Sequence, residues 1–199
     1  MTDAREGSPG TPPDDSLARV PLVAPDGGGD PIVADVFARF ATEGRSPISL
    51  YRALANAPAL VRAYSGLAVA LRHEASTPRT LRELAILRTA QLTGSRYEWC
   101  HHLPMARAAG VGEEQIDGLD EWRANGDAFD ERERAVLRCA DELHQASLSD
   151  AAFAELQRHF DAAEITELLL VVSFYQAVAR LIAGFGLQVE HEYELEPDG

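Results

Sequence analysis

The chain has 199 residues, 46% of them apolar, and a formal net charge of −14 at pH 7. That length suits one domain with a sizeable core, and the charge repels nucleic-acid phosphates and anionic membrane surfaces, so neither is expected as a partner. No run reads as a bilayer span and Met1-Thr2-Asp3-Ala4-Arg5 lacks the basic-then-apolar form of a secretion signal, so the cytoplasm is the expected place.

Residues 1–30 are rich in Pro, Gly, Asp and Ser, with breakers at Pro12-Pro13-Asp14-Asp15 and Gly27-Gly28-Gly29. They cannot offset their own ordering entropy and read as a flexible arm. Its one apolar patch, Val20-Pro21-Leu22-Val23, is suited to lie across the domain or a neighbouring subunit. The domain itself spans 31–190. Ile32, Val36, Phe37 and Phe40 give an amphipathic helix over 31–41 capped by Asp30, and a short helix follows from Ser49 to Ala55. Asn56-Ala57-Pro58 opens a longer one, with Leu60, Val61, Tyr64, Leu67, Ala68 and Leu71 as its stripe, ending near a surface His73.

Residues 77–110 predict two helices joined by a tight turn. Thr77 caps a helix opening with Pro78, and Thr93-Gly94-Ser95 ends that helix and caps the next. In the first, Glu83 shares a face with Leu87 and Ala90, placing a carboxylate where solvent is scarce. In the second, Glu98 and His102 are four apart and stack on one face. Pro104 removes a backbone donor there and predicts a kink against the Cys100 carbonyl.

Gly112 to Ile116 begins a short helix ending before Trp122, and Asn125-Gly126 marks a turn. Arg132-Glu133-Arg134-Ala135-Val136-Leu137-Arg138-Cys139-Ala140 then echoes Arg82-Glu83-Leu84-Ala85-Ile86-Leu87-Arg88-Thr89-Ala90, an internal duplication of the helical hairpin. The copy carries Leu148 and Ala152 where the first has Glu98 and His102, so it keeps only a packing role. Ser149 caps a helix to Phe160 whose apolar face is Phe153, Leu156 and Phe160. Asp161 and Glu164 form a capping box for the last helix, apolar on nearly its whole circumference and therefore central or shared between subunits. Arg180 within it is a candidate carboxylate holder or a snorkelling surface arginine. Residues 191–199 read as a solvated acidic tail.

The chemistry-bearing residues gather in the first hairpin: Glu83, Tyr97, Glu98, His101 and His102. A carboxylate beside an imidazole holds its tautomer, and a second carboxylate in an apolar setting keeps its proton longer, which together suit proton transfer near neutral pH. Ser95-x-x-Glu98 is equally a capping box, in which the Glu merely reaches back to a backbone N–H, and both readings stay open at this point. A metal held by Glu98, His101 and His102 is disfavoured, because adjacent helical residues diverge by about 100°. Cys100 and Cys139 suggest no disulfide framework.

The run Arg82-Glu83-Leu84-Ala85-Ile86-Leu87-Arg88, then Tyr97-Glu98-Trp99-Cys100-His101-His102 and Ala106-Arg107-Ala108-Ala109-Gly110, resembles the carboxymuconolactone decarboxylase family of the AhpD-like superfamily. The resemblance implies an all-α AhpD-like helical bundle, oligomeric as a homotrimer or homohexamer. Its thiol-peroxidase branch carries a Glu, a Cys-x-x-Cys pair and a following His. Glu83 and His102 match, while Ser95 and Glu98 stand in place of the thiols. Cys100 cannot substitute, since it points about 200° round the axis from Glu98.

The resemblance therefore implies the decarboxylase-like branch: cofactor-independent acid/base chemistry, decarboxylation or a proton shift, on a small organic acid or lactone. No metal is expected. His102 is the expected acid/base, Glu98 its orienting partner, Glu83 a second proton carrier, and Tyr97 or His101 a donor to a developing enolate. The alternatives are an AhpD-like peroxidase, a metal-binding protein, and a non-catalytic helical oligomer.

Overall fold

Helical periodicity and well-placed breakers set the order of elements in the computed structural model, which describes residues 17–125 and 127–194. The Pro12–Asp15 breakers, Gly126 of the predicted turn and the end of the tail, 195–199, lie outside the described residues. Among the described residues the fold is all-helical and without strands, as expected. Its helices are α1 (Pro31–Thr42), α2 (Ser49–Leu54), α3 (Pro58–Val69), α4 (Arg79–Thr93), α5 (Arg96–Ala109), α6 (Glu113–Asp117), α7 (Glu131–His144), α8 (Asp150–His159) and α9 (Ala162–Phe185). A π turn, Ala70–Glu74, extends α3, and a 3-10 turn, His191–Tyr193, follows α9.

The centre of the bundle is α4, which packs against α5, α7 and α9. Leu81, Arg82, Glu83, Leu84, Ala85, Ile86 and Leu87 are all buried, so no side of this stretch faces water. Its Ala85 and Ile86 meet Ala135, Val136 and Cys139 of α7 and Leu168, Val171 and Val172 of α9 in one cluster. Its Leu84 and Leu87 meet Leu103 and Ala106 of α5, Leu119, Trp122 and Leu137 in another. The duplicated motif thus supplies matching faces: α4 and α7 lie against each other through the same apolar pattern.

Residues 17–30 cross the domain of their own chain. Arg19 N–H donates to the Phe185 carbonyl at 2.8 Å, Asn56 Nδ2 donates to Pro21 at 2.7 Å, and Arg52 Nε donates to Val23 at 3.0 Å. Gly27 is required in this segment: at φ 88° a Cβ there would sit 2.8 Å from the Ala34 nitrogen.

Several local expectations give way to tertiary partners. Thr77 does not cap α4; the Glu167 carboxylate of α9 instead accepts from the Ser76 and Thr77 N–H groups, both at 2.8 Å. Leu60, Leu67 and Phe153 are exposed because only one flank of α3 and of α8 finds a neighbour. Pro104 lies on the exposed side of α5, which runs unbroken through it. At 24 residues α9 is, against the sequence reading, long and apolar enough by length and composition to cross a membrane; here its buried residues face α4 and α7 as a core helix.

The π turn is held from below. Arg82 is buried, and its guanidinium donates to the carbonyls of Leu71 at 3.0 Å, Ala75 at 3.1 Å and Arg72 at 3.4 Å. These belong to the end of a helix, where carbonyls have no intrahelical partner. Arg82→Met should leave the Leu71 and Ala75 carbonyls without this donor, the Arg72 carbonyl keeping Arg79 Nη1 at 3.3 Å, and lower stability by about 2–3 kcal/mol in urea unfolding, with Arg82→Lys recovering only part, because one ammonium cannot replace the whole fork.

Candidate active site

Two helix caps bring the functional side chains to face each other. Gly94, in the left-handed region at φ 65°, closes α4, and the Ser95 hydroxyl accepts from the Glu98 N–H at 3.4 Å to start α5. The resulting hairpin lays Glu83 of α4 against His102 of α5. Glu83 Oε2 is 2.9 Å from His102 Nδ1, and its Oε1 accepts from Arg79 Nε at 2.8 Å. On the other side of the ring, Nε2 lies 3.7 Å from Glu98 Oε2. Glu83, Glu98 and His102 are 1%, 4% and 4% exposed, so all three sit out of water.

The two carboxylates are pushed in opposite directions. Burial favours the protonated form of Glu83, but hydrogen bonding and charge from His102 and Arg79 outweigh it and hold the carboxyl below its ordinary value. At Glu98 burial wins, and its carboxyl is raised despite the nearby histidines and Arg72. Glu98 Oε2 has no hydrogen-bond partner, since 3.7 Å to the imidazole is too long for one. The Glu98 side chain makes no capping bond back to the Ser95 N–H; the hydroxyl of Ser95 alone caps α5.

His101 and Tyr97 belong to a separate cluster. The Tyr97 hydroxyl donates to Glu190 Oε1 at 2.7 Å, and His101 Nε2 is 2.7 Å from Glu190 Oε2. Ser49 N–H donates to Glu190 Oε1, also at 2.7 Å. The His101 ring stacks between Tyr97 and Tyr193, at 4.3 and 3.9 Å between centroids. The structure therefore separates the five residues, bringing Glu83, Glu98 and His102 together and tying Tyr97 and His101 to the segment after α9. The reading of 191–199 as simply solvated gives way at Tyr193, which this stacking docks. Glu190 went unnoticed because nothing local marks it.

Tyr175 closes the ring of contacts, its side chain edge-on to His102 at 4.8 Å. Both thiols are buried, and burial pushes Cys139 up to about 12. Arg180 is exposed and donates to the Gln176 carbonyl of its own helix at 3.1 Å, so it snorkels and holds nothing near the site.

Residues 58–142 match the carboxymuconolactone decarboxylase family. The matched stretch holds Glu83, Glu98 and His102. No curated protein matches the chain. Similar folds are an uncharacterized peroxidase-related protein from Silicibacter sp. TM1040, 18% identical over 92% of this chain and 96% of that one with a TM-score of 0.74, and a peroxidase-related alkylhydroperoxidase AhpD core protein from Ralstonia eutropha JMP134, 20% identical over 89% and 94% with a TM-score of 0.73. The debrominase Bmp8, in complex with 2,3,4-tribromopyrrole, is 20% identical over 88% of this chain and 95% of that one, with a TM-score of 0.71. The bundle thus has the fold of these AhpD-like proteins, and residues 58–142 carry the match to the carboxymuconolactone decarboxylase family.

In this AhpD-like bundle the Glu190 cluster ties the segment after α9 to α2 and α5. Burial opposes its charge, but bonds from His101, Ser49 N–H and Tyr97 prevail and lower its carboxyl from 4.5 to about 2. A lowered carboxyl stabilises the fold above the unfolded value and loses that contribution as pH falls through the folded one, here across pH 4.5 to 2. The contribution is about 3 kcal/mol. Glu190→Gln should be less stable than the native chain at pH 7, and urea unfolding across the acid range should show that difference closing toward pH 2.

Proposed function

We propose that the chain is a cofactor-independent acid/base enzyme acting on a small organic acid or lactone, by decarboxylation or a related proton shift. The observation that carries this is the buried arrangement of His102, with Glu83, its carboxyl held low, on Nδ1 and Glu98, its carboxyl raised and one oxygen unpartnered, beyond Nε2.

With Glu83 held charged by Arg79, the imidazole carries its proton on Nδ1 and presents the Nε2 lone pair as the base. Glu98, whose carboxyl burial raises, is the acid on the same side of the ring. The orienting and proton-carrying roles expected from sequence are thereby exchanged: Glu83 orients and Glu98 carries the proton. In a decarboxylation, carbon dioxide leaves and the electron pair of the broken C–C bond moves into a conjugated carbonyl. Glu98 protonates the resulting carbanion at carbon, then regains a proton from solvent through His102. In a proton shift, Nε2 takes the proton from one carbon, Glu98 delivers one to another, and transfer from His102 to Glu98 resets the pair. Neither route uses a thiol, in keeping with Ser95 and Glu98 standing where the peroxidase branch places its cysteines.

A carboxymuconolactone is the first substrate to assay, with carbon dioxide release and proton NMR as readouts. His102→Ala should reduce turnover by about 10²–10⁴-fold while the circular dichroism spectrum stays helical, with a lower melting temperature because Glu83 loses a buried partner. Turnover at the native level in that variant would remove the proposal. Glu98→Gln should abolish the protonation step, and Cys100→Ser should leave the rate unchanged; peroxide-dependent turnover lost in Cys100→Ser would favour thiol chemistry instead.

The exchange of roles has its own signature in the pH profile. Glu83→Gln removes the charge that fixes the imidazole tautomer, so the variant should lose rate at every pH. Glu98→Asp, which retains a carboxylic acid at a shorter reach, should keep a measurable rate whose alkaline limb moves, as read from kcat against pH.

A further inference from the structure

A cavity of about 430 Å³ opens between α1, α2, α3 and the π turn, lined by Phe40, Tyr51, Ser65 and Val69, with Arg39, Arg45 and Arg72 outnumbering Glu43 and Glu74 among its charges. That volume suits a small molecule. Arg45 is paired with Glu43. Arg39 and Arg72 have no carboxylate partner among the described residues: Arg39 Nη1 reaches only the Ser65 hydroxyl at 3.5 Å, and Arg72 uses Nε on the Ala68 carbonyl at 3.2 Å. Both guanidiniums thus keep donors that no carboxylate occupies, although Glu43 lies close enough to feel the Arg72 charge. Elsewhere in the bundle Arg79, Arg88 and Arg138 are each met by a carboxylate.

Packed aromatic side chains lie between the cavity and the His102 site. From Tyr51 in its wall, aromatic rings run without a break to His102: Tyr51 to Tyr64 at 5.5 Å, Tyr64 to Phe174 at 5.0 Å, Phe174 to Tyr175 at 5.4 Å and Tyr175 to His102 at 4.8 Å. Arg72 is close enough to both ends to favour the ionised forms of Tyr51 and Glu98, although burial dominates at each. The π turn aims Arg72 here, and Arg82 beneath holds that turn through the Leu71, Ala75 and Arg72 carbonyls.

We propose that Arg72 and Arg39 seat the carboxylate of a small acid with an aromatic or conjugated body, whose apolar part lies along Phe40 and Tyr51. Planar guanidinium forks match a carboxylate's two oxygens, while the aromatic wall accepts a flat body. The identification of this acid as the substrate rests on the acid/base reading of His102; the seat itself does not.

The test is binding of benzoate, with benzamide as its uncharged counterpart, followed by titration calorimetry and amide NMR shifts. Benzoate should bind the native chain saturably, with shifts confined to α1, α2 and the π turn, and benzamide should bind at least tenfold more weakly. Arg72→Gln should lose about tenfold or more in benzoate affinity. Arg39 is exposed, so Arg39→Gln weakens binding without a folding effect and guards against a misfolded Arg72 variant. His102→Ala should bind benzoate as the native chain does. Equal affinity for benzoate and benzamide, or native affinity in both arginine variants, overturns the seat. Loss of benzoate in Arg72→Gln alongside full turnover in His102→Ala upholds the seat and removes the acid/base reading.

Discussion

The fold turns on the charges buried along α4. A helix with its neighbours on every side cannot send a charged side chain into water, and breaking a buried pair costs about 3–5 kcal/mol. Three charged residues of α4 are accordingly each matched to a different element. Arg82 takes carbonyls of the π turn, Glu83 takes His102 of α5, and Arg88 donates to Asp141 of α7 at 2.7 Å. Apolar packing alone would let α4 rotate or slide at small cost, whereas these directional contacts fix its angle against three neighbours. The proton-transfer geometry follows from the same constraint, since a buried Glu83 must face a donor and α5 supplies one.

The α4–α5 hairpin was legible because its signals are local: helical spacing, a Gly-Ser boundary, and Glu98 four residues before His102. The convergence of Glu83 with that pair was also foreseeable from its place on an apolar face. What the spacing could not give is which carboxylate touches which ring nitrogen, because that depends on how two helices cross. Glu98 is nearer to His102 in sequence yet sits 3.7 Å away, while Glu83 reaches 2.9 Å from another helix. Glu190 and Glu167 were missed for the same reason. Each acts on a partner far along the chain, and each looks locally like an ordinary surface charge.

The adjacent histidines show how one helix can serve two tasks. Neighbouring positions differ by about 100° around the axis, so His101 and His102 leave α5 toward different elements. His101 joins Glu190 and lies between two tyrosine rings, an arrangement that anchors the end of the chain to α2 and α5. His102 meets Glu83 and the unpartnered Glu98. Both carboxylate oxygens of Glu190 in the first cluster are bonded; the second cluster leaves a carboxylate oxygen free. Uncompensated burial of that kind destabilises a fold, and it is the feature on which the proposed acid role of Glu98 rests.

The internal repeat sharpens that contrast. Glu133 occupies in α7 the place that Glu83 occupies in α4, within nearly the same local sequence. There it completes a capping box: its carboxylate accepts from the Asp130 N–H at 2.8 Å, and its own N–H donates to Asp130 at the same distance. Glu83 begins no helix and caps nothing, because α4 starts four residues earlier, at Arg79. With the backbone already satisfied, its carboxylate is free to bind Arg79 and His102 instead. The two halves thus share their apolar positions and differ in where the helix begins. That shift in the starting residue turns a stabilising cap into the buried charge that orients an imidazole, while α8, with Ala152 opposite, has no ring to orient.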